Sequence, residues 1–325
     1  MEAINSFLND IVKNPKVFIL RIPTHMNLSK NYYEVIKNSK LKIVCGTNLF
    51  HLNYLPISKF NSWKISIKEV NILDNVLLFG VGTNIYSNNP TGFKRKINRK
   101  IATTFANPYS RFMWKKILTK DGNLYHSVRD EESADILKGL GFNNALNTGC
   151  PTIWKLDEAH CSCIPKVKSE SVVVTFTDYR KNLTADKKML RIVTNYYRNI
   201  YIWPQGSGDY DYIKQLLNLT QIDAKVLPAT LKAFDDLLSY NNVDYIGTRL
   251  HGGIRALQHK KRAIIIAVDN RAISFKRDFN LPIIERDEIG EELERKIIEP
   301  YFVNIKIRRN DIELFKNSLE AYINI

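Results

Sequence analysis

Arg249 and His251 stand one residue apart in VDYIGTRLHGGIRALQ (243–258), where a short apolar run gives way to a helical pattern. Leu250, Ile254 and Leu257 recur at i, i+4 and i+7, the spacing of one buried helical stripe. Both ionisable side chains therefore fall at a strand-to-helix turn, with Leu250 anchoring it inward. A helix start leaves backbone N–H groups without intrahelical partners, and its aligned peptide dipoles attract anions. A guanidinium there offers a planar fork that matches phosphate or carboxylate. An imidazole beside a bound anion exchanges a proton near neutral pH. Gly252 and Gly253 would cost about 1 kcal/mol each in a helix interior. In a first turn they cost less, and are expected to admit close backbone approach by a ligand. The pattern describes an anion site with a proton donor attached. A purely structural role is also open to the pair: Arg249 matched to a nearby acid, His251 satisfied and buried.

These side chains need a frame. In the second half, VVVTF (172–176), IYIW (200–203), AKVL (224–227), VDYIG (243–247) and AIIIAV (263–268) alternate with helical stretches. Continuous apolar runs suit strands covered on both faces, and the alternation implies a parallel sheet with helical crossovers. The first half repeats the rhythm less cleanly, with strands expected at VFILRI (17–22), LKIVC (41–45), NVLLFGVG (75–82), LYHSVR (124–129) and just before Gly149. Helices are expected at 29–39, 96–119 and 131–140, the last opened by Asp130 and Glu131 as N-cap and first-turn acids. The stretch 157–171 has little periodicity. The expected division is a Rossmann-like domain over 1–156, a linker over 157–171, a second Rossmann-like domain over 172–310, and a helix over 311–325 packing back. Two doubly wound α/β domains facing a central cleft would place ligands beyond the carboxyl ends of the strands. That adds Gly80-Val81-Gly82 and Ser127-Val128-Arg129 to the candidates, together with Asn48, Arg180, Gln205 and Ser207.

Composition bounds the partners. The 325 residues carry a formal charge of +15, which favours anionic ligands or surfaces. No acid occurs from Asn75 to Lys120, a window holding Lys94, Arg95, Lys96, Arg99, Lys100, Arg111, Lys115, Lys116 and Lys120. Phe93, Phe105, Tyr109, Phe112 and Trp114 are interleaved with them, so the window suits a polyanion, acidic lipid headgroups or a solvated helix face over core aromatics. No run reaches the roughly 18–20 apolar residues of a membrane span. The opening MEAINSFLNDIVKNPK lacks the pattern of an export signal, and four scattered cysteines do not form a disulfide framework, so a cytoplasmic location is expected. No G-x-G-x-x-G opens a helix after a strand and the Walker pattern is missing, which disfavours nicotinamide and P-loop enzymes. His160-Cys161-Ser162-Cys163 lacks a CxxC pair and a clear fourth ligand, so no metal is expected. Cys150 reads as a packed thiol.

The ordered motifs resemble the polysaccharide pyruvyl transferases. GTRLHGGIRALQ resembles that family's signature, in which a strand ends in a small residue followed by Arg-Leu-His and a helix. HSVRDEESADILKGLG (126–141) with TGCPTIW (148–154), GVG (80–82) and WPQGSGDYDYI (203–213) stand in matching order, so the likeness spans roughly 40–280. The chain departs from the pattern at Lys260-Lys261-Arg262-Ala263 and at Asp269-Asn270-Arg271, where the family carries Gly-x-Pro and a lysine. The resemblance implies a GT-B-like pair of Rossmann domains that moves pyruvate from phosphoenolpyruvate onto two hydroxyls of a sugar. The product would be a cyclic ketal, phosphate would be released, and no cofactor would be needed. It implies catalytic or donor-binding roles for Arg129, Arg249 and His251, with Leu250, Gly252 and Gly253 at the donor. Asn48, Gly82, Arg180 and Gln205 are the acceptor-side candidates. The acceptor would be a glycan or lipid-linked oligosaccharide, with peripheral contact to an anionic inner membrane face through the basic window. A GT-B glycosyltransferase using a nucleotide sugar is the alternative, though no base or ribose site is evident. A nucleic-acid-binding protein is the distant one, lacking any reader motif.

Overall fold

Apolar runs with no solvated face must find partners on both sides, and in the computed structural model they do so as parallel strands. The structure describes residues 2–13, 16–50, 52, 63, 65–83 and 108–324. It divides into one unit of Met1–Trp154 with Arg308–Ile325 and a second of Lys155–Ile307. The stretch 157–171 has structure of its own within the second unit. Asp157 caps a helix over Glu158–Ser162, and the Ser169 amide donates to the Asp244 carboxylate.

In the first unit, β1 (Lys42–Cys45) pairs in parallel with β2 (Val76–Phe79), and β3 (His126–Val128) pairs in parallel with β4 (Ala145–Asn147). A Val81–Val128 bridge and the Gly80 amide on the Ser127 carbonyl (2.9 Å) join β2 to β3. Val76, Leu77, Leu78 and Phe79 are fully buried. One face of the sheet rests on Trp63, Met113, Trp114 and Leu137. Leu77 and Phe79 pack with Ile4, Leu8, Phe315 and Leu319, from the helices Glu2–Ile11 and Arg309–Ile323. The expected strand at 17–22 does not form. Ile19 and Ile22 touch the core singly while Phe18 is 82% exposed, and no ladder holds the backbone. An apolar run shows that side chains want cover; it does not show that a neighbouring strand has a free edge. In the basic window, Lys94, Arg95, Lys96, Arg99, Lys100, Phe93 and Phe105 lie outside the described residues. The helix Pro108–Ile117 buries Met113, Trp114 and Ile117 and exposes Phe112, Lys115 and Lys116.

The second unit holds β5 (Ser171–Thr175), β6 (Asn199–Ile202), β7 (Lys225–Val226), β8 (Val243–Gly247), β9 (Ala263–Ala267) and β10 (Ile283–Glu285). All pair in parallel, in the spatial order β7-β6-β5-β8-β9-β10. Counted from the first strand of the unit this is 3-2-1-4-5-6, the Rossmann order, with its topological switch point between β5 and β8. Side-chain caps start the crossovers: Asn182 for Leu183–Tyr196, Thr230 for Leu231–Tyr240 and Asp269 for Asn270–Phe279. Arg262, at a departure from the family pattern, is 1% exposed. It pairs with Asp244 (3.2 Å) and donates to the carbonyls of Lys296, Ile297 and Glu299, closing the end of the helix Glu291–Ile298.

Candidate active site

The carboxyl end of β8 is shaped by hydroxyl groups before any charge appears. Tyr245 is buried and donates its hydroxyl to the Arg249 carbonyl (2.7 Å). Its single proton is thereby spent, so the Thr175 hydroxyl, 2.6 Å away, must donate to it. Desolvation pushes the Tyr245 phenol well above its ordinary range, so it remains a donor. A Cβ on Gly247 would collide with Thr175 Oγ1, so only glycine lets β8 run this close to β5. Arg249, extended at the N-cap, and Leu250, buried at the first helical position, follow from this geometry. His251 is exposed in the first turn of the helix Leu250–Gln258. The two glycines that follow are closely packed against the sheet. A Cβ on Gly252 would lie 2.9 Å from Tyr245 Oη, and one on Gly253 would strike Ile265. Gly252 and Gly253 thus seat the helix on β8 and β9.

Arg249 does have its acids. Nε donates to the Phe176 carbonyl (3.3 Å), and Nη2 meets Asp178 Oδ1 (3.3 Å) and Asp209 Oδ1. Asp178 follows β5 and Asp209 opens the helix after β6, so the cluster straddles the switch point. Tyr179 lies beneath two guanidiniums, Arg249 at 5.3 Å and Arg271 at 5.9 Å from its ring centre. Arg271 also donates to the Tyr179 hydroxyl (2.7 Å) and to Asp269. Burial opposes ionisation of Asp269, but the hydrogen bond and charge of Arg271 prevail and hold its carboxyl below the ordinary range. Of the acceptor-side candidates in this unit, Arg180 and Gln205 are both exposed at strand ends. The Arg180 carbonyl accepts from Arg286 (2.6 Å), and the Gln205 amide donates to Asp209 Oδ2 (3.1 Å).

In the first unit, three chain segments meet at the carboxyl edge. The Gly82 amide donates to the Thr47 carbonyl (2.9 Å) and the Arg129 amide to the Val81 carbonyl (3.0 Å), bringing Asn48, Gly82 and Arg129 to one edge. The Arg129 guanidinium lies across Gly82, where any Cβ would strike its Nη2 and Cζ. Gly82 therefore makes room for the arginine. Arg129 is 5% exposed and its Nε lies 3.8 Å from Asp130 Oδ2. Asp130 is in turn held by the amide and hydroxyl of Ser133, both at 2.8 Å.

Asp178, Tyr179, Asp209 and the Asp269–Arg271 pair were not weighted by sequence reasoning as one site. Their common signal is position: each directly follows a strand or opens the helix after it. His160, beside two cysteines, instead uses Nε2 on the Leu257 carbonyl (2.8 Å). Among the described residues no group of three or more His, Cys, Asp or Glu could hold a metal ion, and no helix is long and apolar enough to cross a membrane.

A family model described as polysaccharide pyruvyl transferase matches residues 1–270. No curated protein matches the chain significantly.

Proposed function

We propose, from the premise that the chain belongs to the polysaccharide pyruvyl transferase family, that it moves pyruvate from phosphoenolpyruvate onto two hydroxyls of one sugar as a cyclic ketal, releasing phosphate. The observation that carries this reading is Arg249 at the switch point of a 3-2-1-4-5-6 sheet, with His251 exposed one residue further on in the helix's first turn. The donor bears a carboxylate and a phosphate within a few atoms, so it calls for more than one fixed cation. In a GT-B-like pairing of the two units, Arg129 and Arg249 would take those two groups, and the helix start at Leu250 would add its N–H groups.

His251 is the general acid in this reading. Its proton goes to the methylene carbon of the donor, and the double-bond pair forms the new C–H bond. The adjacent carbon becomes electrophilic, and a sugar hydroxyl attacks it and loses its proton. The C–O bond to phosphate then breaks, and the second hydroxyl closes the ring. Of the two hydroxyl protons, one replaces that given by His251 and the other leaves with phosphate. The acceptor is a glycan or a lipid-linked oligosaccharide, and a lipid-linked unit would draw on the basic residues for peripheral contact with an anionic membrane.

The test is incubation with phosphoenolpyruvate and galactose-, mannose- and hexosamine-type acceptors. Mass gain of one pyruvyl group with equimolar phosphate is the expected result. Release of a nucleoside diphosphate from a nucleotide sugar in its place would overturn the reading. His251→Ala should abolish transfer with folding intact.

A further inference from the structure

Two carboxylates share one guanidinium nitrogen, and they differ in every other respect. Asp209 is 0% exposed. Its Oδ1 accepts from the Asp178 amide (3.0 Å) and from Arg249 Nη2, and its Oδ2 accepts from the amides of Gln205 (3.1 Å) and Gly206 (3.2 Å). Three of its four donors belong to the backbone of two strand ends, so the carboxylate cannot move without unmaking both. Asp178 has a side chain 39% exposed, and Arg249 Nη2, at 3.3 Å, is its ion-pair partner. Its Oδ2 rests on the first turn of the helix Ser207–Thr220, where Gly208 leaves the space.

The arithmetic of the guanidinium makes the difference matter. Arg249 has five N–H donors. Nε serves Phe176, the two acids draw on Nη2, and Nη1 makes no hydrogen bond among the described residues. A bidentate anion needs two parallel N–H groups, one from each terminal nitrogen on the outer edge. One Nη2 hydrogen must therefore be given back, and only Asp178 is placed to release it.

We propose that Asp209 is the positioning residue that fixes the Arg249 guanidinium, and that Asp178 is its displaceable counter-ion, yielding Nη2 to an anionic group of the donor. This rests on the donor assignment made above. The two acids then have opposite effects. Removing the charge of Asp178 removes both a competitor and a like charge beside the incoming anion, so donor binding tightens. Removing the charge of Asp209 frees the guanidinium to wander, so donor binding weakens.

The experiment is calorimetric titration of the wild type, Asp178→Asn, Asp209→Asn and Arg249→Ala with phosphoenolpyruvate and, separately, inorganic phosphate, alongside steady-state kinetics. Asp178→Asn is expected to lower both Kd and donor KM by roughly three- to tenfold, with no rise in kcat. Asp209→Asn is expected to raise Kd by about tenfold or more and to lower kcat. A merely structural role would not move the two variants in opposite directions. Weaker binding in Asp178→Asn, with the wild type binding through Arg249, would overturn this inference alone. Wild-type binding of neither anion, or binding unchanged in Arg249→Ala, would overturn the donor assignment and this inference together. Should Asp209→Asn not fold, Asp178→Asn and Asp178→Ala decide the matter, since an exposed carboxylate with one ion pair is dispensable to the fold.

Discussion

At the scale of single residues, the site is built from charges that are already matched. Replacing Arg249 with alanine would strip a fully buried carboxylate, Asp209, of the one side-chain cation it meets among the described residues. Such a loss costs about 3–5 kcal/mol, so Arg249→Ala should melt earlier as well as bind donor poorly. Adding Asp209→Asn to that variant should restore part of the melting temperature and none of the binding, a split that thermal denaturation and titration separate. Gly82 offers a cleaner handle on the other arginine. The atoms an added methyl would strike are the far end of the Arg129 side chain, which can swing aside. Gly82→Ala should therefore lose about tenfold or more in donor affinity, at some cost in melting temperature because Arg129 must leave its place beside Asp130. A normal donor titration in that variant would remove Arg129 from the donor site.

At the scale of elements, the first unit is stitched together by one buried imidazole. His126 Nδ1 accepts from the Leu78 amide (3.2 Å), which can only donate. Nε2 therefore carries the proton and gives it to the Thr119 carbonyl (3.2 Å). One ring thus ties β2, β3 and the end of the helix Pro108–Ile117. Burial lowers its pKa from 6.5 to about 4. Because the folded value lies below the unfolded one, the unfolded chain binds the proton first as pH falls. Stability should be full above about 6.5 and lost progressively towards pH 4, by on the order of 3 kcal/mol. Denaturant titrations across that range should show the slope, and His126→Gln should flatten it. An identical slope in the variant would place the acid sensitivity elsewhere.

At the scale of the whole molecule, the charge of +15 is not one surface. Arg262 spends its charge in the interior on Asp244 and three carbonyls, and Arg249 and Arg271 spend theirs on aspartates. Lys115, Lys116 and Lys120 remain exposed, and Lys115 and Lys120 line a cleft of about 640 Å³ with Tyr125 and Phe142. If the acceptor is lipid-linked, flotation with phosphatidylserine vesicles should carry the protein upward at low salt. The effect should fade near 0.5 M salt, where screening shortens to roughly 4 Å. Charge reversal of Lys115 and Lys120 should weaken it. No flotation at low salt would mean the basic residues serve another purpose.

Local order along the chain determined a good deal unaided. The apolar runs of the second half became strands. For β5, β8 and β9 the reason is that five-residue apolar stretches between helical patterns have no other way to bury both faces, whereas β6 and β7 are only partly buried. The turn that presents Arg249 and His251 was equally legible, because a helical stripe starting at Leu250 fixes which residues precede it. What stayed hidden depends on which strands become neighbours. Nothing along the chain says that β5 lies beside β8, yet that adjacency delivers Asp178 to Arg249, and the helix after β6 delivers Asp209. The glycines show the same limit: their spacing announces that space is needed, but only the packed molecule shows Tyr245, Ile265 and Arg129 occupying it. Periodicity is a property of neighbours in sequence, whereas the counter-ions and close contacts of this site belong to residues tens of positions apart, brought together by the order of the sheet.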